Sequence, residues 1–207
     1  TNVPGCYIIG DVSGVPLIKN AVKEGAEVIA HIADDLKTAP NDEKADYDVA
    51  IIGIGPGGAS AAATAQELGL RYVAIEQDKV LASIENYQKG KYIYFKPDTK
   101  DWAGGLPDLG AGDQRENILE TWNESLNAGG VRINENESCK SVSRADDGDH
   151  FVIKTEATED KSLRTYSARR VVLAIGLRGA PNKLRLPNED MTIRVQGREE
   201  PKVLYSL

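Results

Sequence analysis

Gly53, Gly55 and Gly58 stand as Gly-Ile-Gly-Pro-Gly-Gly directly after the apolar run Val49-Ala50-Ile51-Ile52. Glycines at this spacing, between a strand and a helix, build a phosphate site. Gly53 permits the tight turn out of the strand, Gly55 lets the backbone approach a pyrophosphate, and Gly58 lets the helix pack against the strand. Pro56 opens that helix, and with Gly57 it completes the cradle. The free N–H groups and positive dipole end there favour anionic groups. A second apolar run, Tyr72-Val73-Ala74-Ile75, ends in Glu76 with Gln77 beside it. A carboxylate at that strand end is placed to accept the hydroxyls of an adenosine ribose. The plainer reading of Glu76 is a solvated strand-end acid. Strand, turn, helix and terminal acid fall in register, so the spacing predicts a dinucleotide site over residues 48–77.

Two further patterns lie outside that unit. Cys6-Tyr7-Ile8-Ile9 reads as a short buried strand ending at Gly10-Asp11. An aspartate there sits at the carboxyl edge of a sheet, where open α/β sheets bind ligands; otherwise it is an N-cap or turn residue. Val171-Val172-Leu173-Ala174-Ile175 reads as another buried strand, ending at Gly176 and followed by Ala180-Pro181, with five residues between Thr165 and Val171.

These motifs need elements to hold them. Apolar residues recur at helical spacing from Leu17 to about Leu36, and Lys19, Asn20 and Ala21 open that helix. Residues 37–47 are polar, contain Pro40 and read as a linker. Residues 79–112 read as irregular. From Asp113 to about Asn127 an amphipathic helix carries Ile118, Leu119, Trp122 and Leu126 on one face, closed by Gly129-Gly130. Trp122 reads as core and Trp102 as a loop anchor. Val131–Asn134 is expected as a third parallel strand. Three short strands near 139–144, 150–155 and 163–167 are expected as a meander, with a turn at residues 146–149. The tail from Leu184 is charged and poorly patterned.

Taken together, the Gly-Asp strand, the G-x-G-x-x-G unit and Ala174-Ile175-Gly176 resemble the motifs of thioredoxin-reductase-like flavoproteins, closest to the branch that includes bacillithiol-disulfide reductases. They belong to the pyridine nucleotide-disulfide oxidoreductase superfamily. Ile175 stands where that family has threonine. The resemblance implies an α/β fold, a Rossmann-like FAD-binding domain of glutathione-reductase type, with a parallel sheet and a β-meander in three layers. It implies that Gly53, Gly55, Pro56, Gly57 and Gly58 hold the FAD pyrophosphate and Glu76 the ribose, with Gln77 adjacent. Backbone at Ser138-Cys139 would pair with the adenine, and Ala174 and Gly176 would approach the cofactor from the opposite strand. Gly10 and Asp11 would lie near the ribityl chain or pyrophosphate. Lys19, Asn20 and Ala21 would open a helix beneath the flavin ring, although Lys19 reads equally as a surface lysine. Asn86-Tyr87 falls near the flavin or in an ordinary loop.

The order departs from that family, in which the Gly-Asp segment closes the chain. Here residues 1–36 resemble its C-terminal FAD segment and residues 48–190 its N-terminal one, joined by the linker 37–47. The tail 191–207 resembles the lead into a nicotinamide domain. Either the chain joins the end of one module to the start of another, or it is a permuted FAD domain. On that reading NAD(P)H is expected only in a full-length enzyme, and the chain alone should turn over little or not at all. The alternatives are a non-catalytic FAD- or ADP-binding module and an NAD-binding Rossmann domain, with Glu76 disfavouring a 2′-phosphate.

The composition narrows the partners. With a net charge of −7 over 207 residues and no long basic run, nucleic acid and anionic membrane surfaces are poor candidates. No apolar run approaches a membrane span. Cys6 and Cys139 form no C-x-x-C, and they read as small core residues of a reduced, cytoplasmic protein. His31 and His150 lack companions at ligand spacing, so no metal site is expected. A homodimer formed by exchange across the linker stays open, as does the electron acceptor.

Overall fold

In a computed structural model the apolar runs assemble into one mixed sheet with helices on one face. The structure describes residues 3–39, 44–95, 102, 104–146, 148, 150–176, 191–195 and 198–201. Part of the linker, Ala180-Pro181 and most of the tail lie outside them. Residues Thr1–Gly176 form one compact unit and Leu177–Leu207 a second.

The first unit begins with β1 (Cys6–Ile8), a 3-10 turn over Gly10–Ser13, and α1 (Ile18–Thr38). The glycine-rich unit follows as β2 (Tyr47–Ile52), α2 (Pro56–Glu67) and β3 (Tyr72–Ile75). The stretch expected to be irregular holds a short α3 (Ala82–Glu85) and a two-stranded antiparallel pair, β4 (Tyr92–Tyr94) with β5 (Gly112–Gln114). The helix α4 (Arg115–Ala128) buries Ile118, Trp122 and Leu126, as its spacing predicts. Then come β6 (Glu137–Arg144), β7 (Phe151–Ala157) and β8 (Leu163–Leu173).

Two expectations change. Val131–Asn134 contributes only an isolated parallel bridge, Ile75 to Asn134, instead of a full strand. The expected strands at 163–167 and 171–175 are one continuous strand. From Leu163 to Ala168 β8 runs antiparallel to β7, and from Ala168 to Leu173 it runs parallel to β2. Ala168 is fully buried and pairs with Phe151 on one side and Tyr47 on the other. Beyond it, β1 takes the edge that β7 leaves, in parallel register Cys6 to Val171, Tyr7 to Val172 and Ile8 to Leu173. The sheet order is β3-β2-β8-β7-β6, with β1 beside β8.

Alternation sorts the core. Val49 and Ile51 of β2 join Ile29 and Ile32 of α1 on the helical side, while Ala50 and Ile52 join Phe151 and Ile153 of β7 on the meander side. Ile29 and Ile32 are fully buried, which favours the fold by about 1.5–3 kcal/mol each. Cys6 and Cys139 pack against the meander-side cluster, as the core reading expects. The second unit's described part is an antiparallel hairpin, β9 (Thr192–Val195) with β10 (Arg198–Pro201), where the sequence pattern is weak.

Helices α1 and α2 touch through small residues. A Cβ on Gly25 would overlap the Gly57 carbonyl oxygen and come within 3.0 Å of the Ala61 nitrogen. Ser60 Oγ, fully buried, donates to the Val22 carbonyl at 2.7 Å. Replacing a mid-helix glycine by alanine ordinarily favours a helix. Here we predict the opposite sign: Gly25→Ala should destabilise by about 1–3 kcal/mol through overpacking. Urea denaturation checks this, and a raised midpoint would mean that the helices are further apart than described.

Candidate functional site

Hydrogen bonding between neighbouring strands brings the predicted residues to one edge of the sheet. Ile52 is level with Ile75 and Leu173, and Leu173 with Ile8. Four strand ends therefore run out together, followed by Gly10-Asp11, Gly53–Gly58, Glu76-Gln77 and Ala174–Gly176. Backbone bonds continue the alignment: Ile9 N–H to Leu173 at 3.0 Å, Ala174 N–H to Ile52 at 2.8 Å, and Gly53 N–H to Ile75 at 2.9 Å.

The glycine turn is tight where the spacing requires it. Gly53 has φ +89°, and a Cβ on it would lie 2.7 Å from the Ala174 carbonyl oxygen. A Cβ on Gly58 would overlap the Gly53 carbonyl oxygen. Gly55 differs: among the described residues beyond its chain neighbours, only Ser83 Oγ lies near its would-be Cβ, at 3.3 Å. The first bond inside α2 runs from Ala59 N–H to the Gly55 carbonyl at 2.8 Å. With Pro56 at the first position, the N–H groups of Gly57 and Gly58 point out of the helix end.

The other predicted segment meets this turn. A Cβ on Gly57 would sit 3.5 Å from Ala21 Cβ, and one on Gly10 3.6 Å from the same atom. Gly10, Ala21 and Gly57 thus converge, and Lys19 and Asn20 lie in the same first turn of α1. Lys19 is buried, which overturns its reading as a solvated surface lysine. Asp11 lies in the 3-10 turn, and α1 is capped by Leu17 without a side-chain bond, so Asp11 does not cap that helix.

Glu76 is buried rather than solvated. Its Oε2 accepts the Ile54 N–H at 2.6 Å and its Oε1 the Asp78 N–H at 3.0 Å. One carboxylate thereby ties the end of β3 to the glycine turn, while Gln77 beside it is exposed. The start of β6 reaches the same place, with Glu137 N–H donating to the Glu76 carbonyl at 2.8 Å. Because that bond points away from β7, strand alternation turns the Cys139 backbone toward the same open edge.

Several residues escaped sequence reasoning. Glu24, in the second turn of α1, accepts the Gly10 N–H at 2.7 Å and the Ser13 hydroxyl at 3.3 Å, holding the Gly10–Ser13 turn in place. Glu137 is buried under Thr155, Arg164 and Tyr166, each donating to its carboxylate. Burial, together with the bond to Glu137, pushes the Tyr166 hydroxyl up. A helical acid and a strand acid look ordinary in sequence, and neither carries a spacing signal. Burial also pushes both cysteine thiols up. The described residues contain no group of three or more metal-type side chains, and no helix among them is long and apolar enough to cross a membrane.

A family model for pyridine nucleotide-disulphide oxidoreductases matches residues 50–203. The ferredoxin–NADP reductase of Ignicoccus hospitalis is 29% identical over 143 residues, covering 69% of this chain and 41% of that protein. The bacillithiol disulfide reductase Bdr (YpdA) from Bacillus cereus is similar at 27% identity and a TM-score of 0.57, over 70% of this chain and 44% of that one. Its counterpart from Staphylococcus aureus gives 25% identity and a TM-score of 0.54, over 71% and 43%. The chain spans less than half the length of these relatives.

The Glu76 geometry predicts a stability effect besides any effect on binding. Glu76→Ala leaves the buried Ile54 N–H without an acceptor and should cost about 1–3 kcal/mol, whereas Gln77→Ala should stay within about 0.5 kcal/mol. Chemical denaturation of both variants measures it, and an unchanged midpoint for Glu76→Ala would remove the carboxylate from its structural post.

Proposed function

Because the chain belongs to the pyridine nucleotide-disulphide oxidoreductase family, we propose that its Thr1–Gly176 unit binds FAD as part of an NAD(P)H-dependent flavoprotein oxidoreductase. The observation that carries this is the meeting of two distant segments: the first turn of α1 stands against Gly57 through Ala21, and Gly10 lies against the same Ala21 side chain. An NAD-binding Rossmann domain has no use for the first of them. The cradle suits a diphosphate: Gly53 and Gly58 are closed by backbone, while among the described residues only the Ser83 hydroxyl comes near the would-be Cβ of Gly55.

In this reading the N–H groups of Gly57 and Gly58 take the pyrophosphate, with Gly53, Gly55 and Pro56 shaping the turn. Glu76 keeps further lone pairs for the ribose beyond those that accept Ile54 and Asp78, and Gln77 flanks it. The Cys139 backbone faces the adenine. Gly10 and Asp11 face the middle of the dinucleotide, and Ala174 and Gly176 close it from the β8 side. Lys19, Asn20 and Ala21 present the positive end of α1, which stabilises negative charge on a reduced ring. FAD, when bound, supplies the hydride and electron chemistry; the chain supplies position and field.

Residues 1–36 act as the Gly-Asp segment of a permuted domain, joined to 48–190 through 37–47, with 191–207 leading toward a nicotinamide-binding part. The pairing of β1 with β8 supports this order. The relatives are more than twice as long as the matched region, and the sequence carries one G-x-G-x-x-G. The chain by itself should therefore oxidise NADPH slowly or not at all.

Two measurements test the reading. Purified protein, given FAD and passed through gel filtration, should keep a flavin spectrum near one equivalent. A colourless protein that binds NAD in titration would replace FAD with the dehydrogenase reading. NADPH oxidation by the FAD-loaded chain should stay near the rate of free FAD, and sustained turnover would show a complete enzyme.

A further inference from the structure

The Gly10–Ser13 turn carries Asp11 to the sheet edge with little of its own to hold it there. Of its four residues only Gly10, which has no side chain, is buried. Glycine backbone bounds it in left-handed conformation at both ends, with φ +73° at Gly10 and +110° at Gly14. The restraint comes from α1. Glu24 Oε2 accepts the Gly10 N–H at 2.7 Å at the start of the turn and the Ser13 hydroxyl at 3.3 Å at its end. Glu24 follows Ala21 by three residues, so the two share one helix face. On that face a Cβ on Gly10 would lie 3.6 Å from Ala21 Cβ, and one on Gly57 3.5 Å from the same atom.

We propose that Glu24 is a positioning residue for the flavin half of the dinucleotide, its carboxylate setting where Gly10 and Asp11 stand. This rests on the FAD reading above. A carboxylate that accepts at both ends of one turn fixes the turn's rotation as well as its distance, and charge makes each bond stronger than its neutral counterpart. In that reading Gly57, Gly58 and Glu76 take the ADP half, and none of them belongs to the turn. Glu24 therefore divides one ligand in two: what it holds matters to FAD and not to ADP. Reach matters as well as charge. Aspartate ends one methylene short of the Gly10 N–H, whereas glutamine keeps an acceptor oxygen at the same reach.

Isothermal titration of the full chain with FAD and with ADP, for wild type, Glu24→Ala, Glu24→Asp and Glu24→Gln, tests it. Glu24→Ala and Glu24→Asp should each weaken FAD roughly tenfold, while ADP stays within about twofold of wild type. Glu24→Gln, which loses the charge but keeps the acceptor, should bind FAD within about threefold of wild type. Glu24→Asp keeps the charge and nearly the size, so the comparison survives even where Glu24→Ala does not fold. A residue that served stability alone would lower the urea midpoint and leave the ratio of FAD to ADP affinity unchanged. Equal FAD binding by wild type and Glu24→Asp would overturn the Glu24 assignment while leaving the FAD reading intact. An equal loss of FAD and ADP would overturn it too, by showing a general disturbance of the site. So would Glu24→Gln binding FAD as weakly as Glu24→Asp, since position would then not be what the side chain supplies. A wild-type chain that does not bind FAD would overturn both the assignment and the reading it rests on.

Discussion

The site depends on the last three residues of β8 being gripped from both sides. Val171, Val172 and Leu173 pair in parallel with β2 on one flank and with β1 on the other. A parallel ladder cannot slip by one residue without turning each buried side chain to the wrong face. Here Val171 belongs to the meander-side core and Val172 to the helix side, both fully buried. That register places the ends of β1, β2, β3 and β8 level, and the loops that leave them share one edge.

Helix packing then decides how close those loops come. Gly25 and Gly57 let α1 and α2 approach nearer than any side chain would allow. Ser60 exploits the gap, donating to Val22 while accepting the Gly105 N–H at 2.9 Å. The loop at Gly104-Gly105 fits into the same groove, where a Cβ on Gly105 would lie 2.6 Å from the Ser60 carbonyl oxygen. This interlock brings Ala21, in the first turn of α1, against Gly57 of the phosphate cradle. Two positive helix ends are held side by side, an arrangement suited to a ligand with negative charge along its length.

Acids take on two kinds of work here. Glu24 and Glu76 bind backbone N–H groups and so shape the turns beside the site. Glu137 sits under the meander, where Arg164 bonds to it at 2.8 Å with Thr155 and Tyr166 completing its shell. A buried carboxylate without such partners would be costly. With them it joins β6, β7 and β8 and steadies the strand whose open edge reaches Glu76.

Local sequence determined the parts that rest on short-range geometry. The glycine spacing, Pro56 at the helix start, the acid at the end of β3 and the face of α4 all follow from neighbours a few residues apart. The Gly-Asp strand and its helix were legible for the same reason. Tertiary structure alone decided the rest. It made Val131–Asn134 a single bridge: Asn134 donates to the Ala74 carbonyl and accepts the Glu76 N–H, whereas the Val131 N–H goes to Leu126 of α4 and the Arg132 N–H to the Tyr72 hydroxyl. It fused two expected strands into β8, since Ala168 can serve two neighbours at once with no change of direction. It buried Lys19 and Glu76, for both of which a surface charge is the plainer alternative reading. It also set Ser83 against Gly55 and Glu24 against Gly10. Such contacts join residues far apart in the chain. They depend on sheet register and helix separation, which no single stretch of sequence encodes.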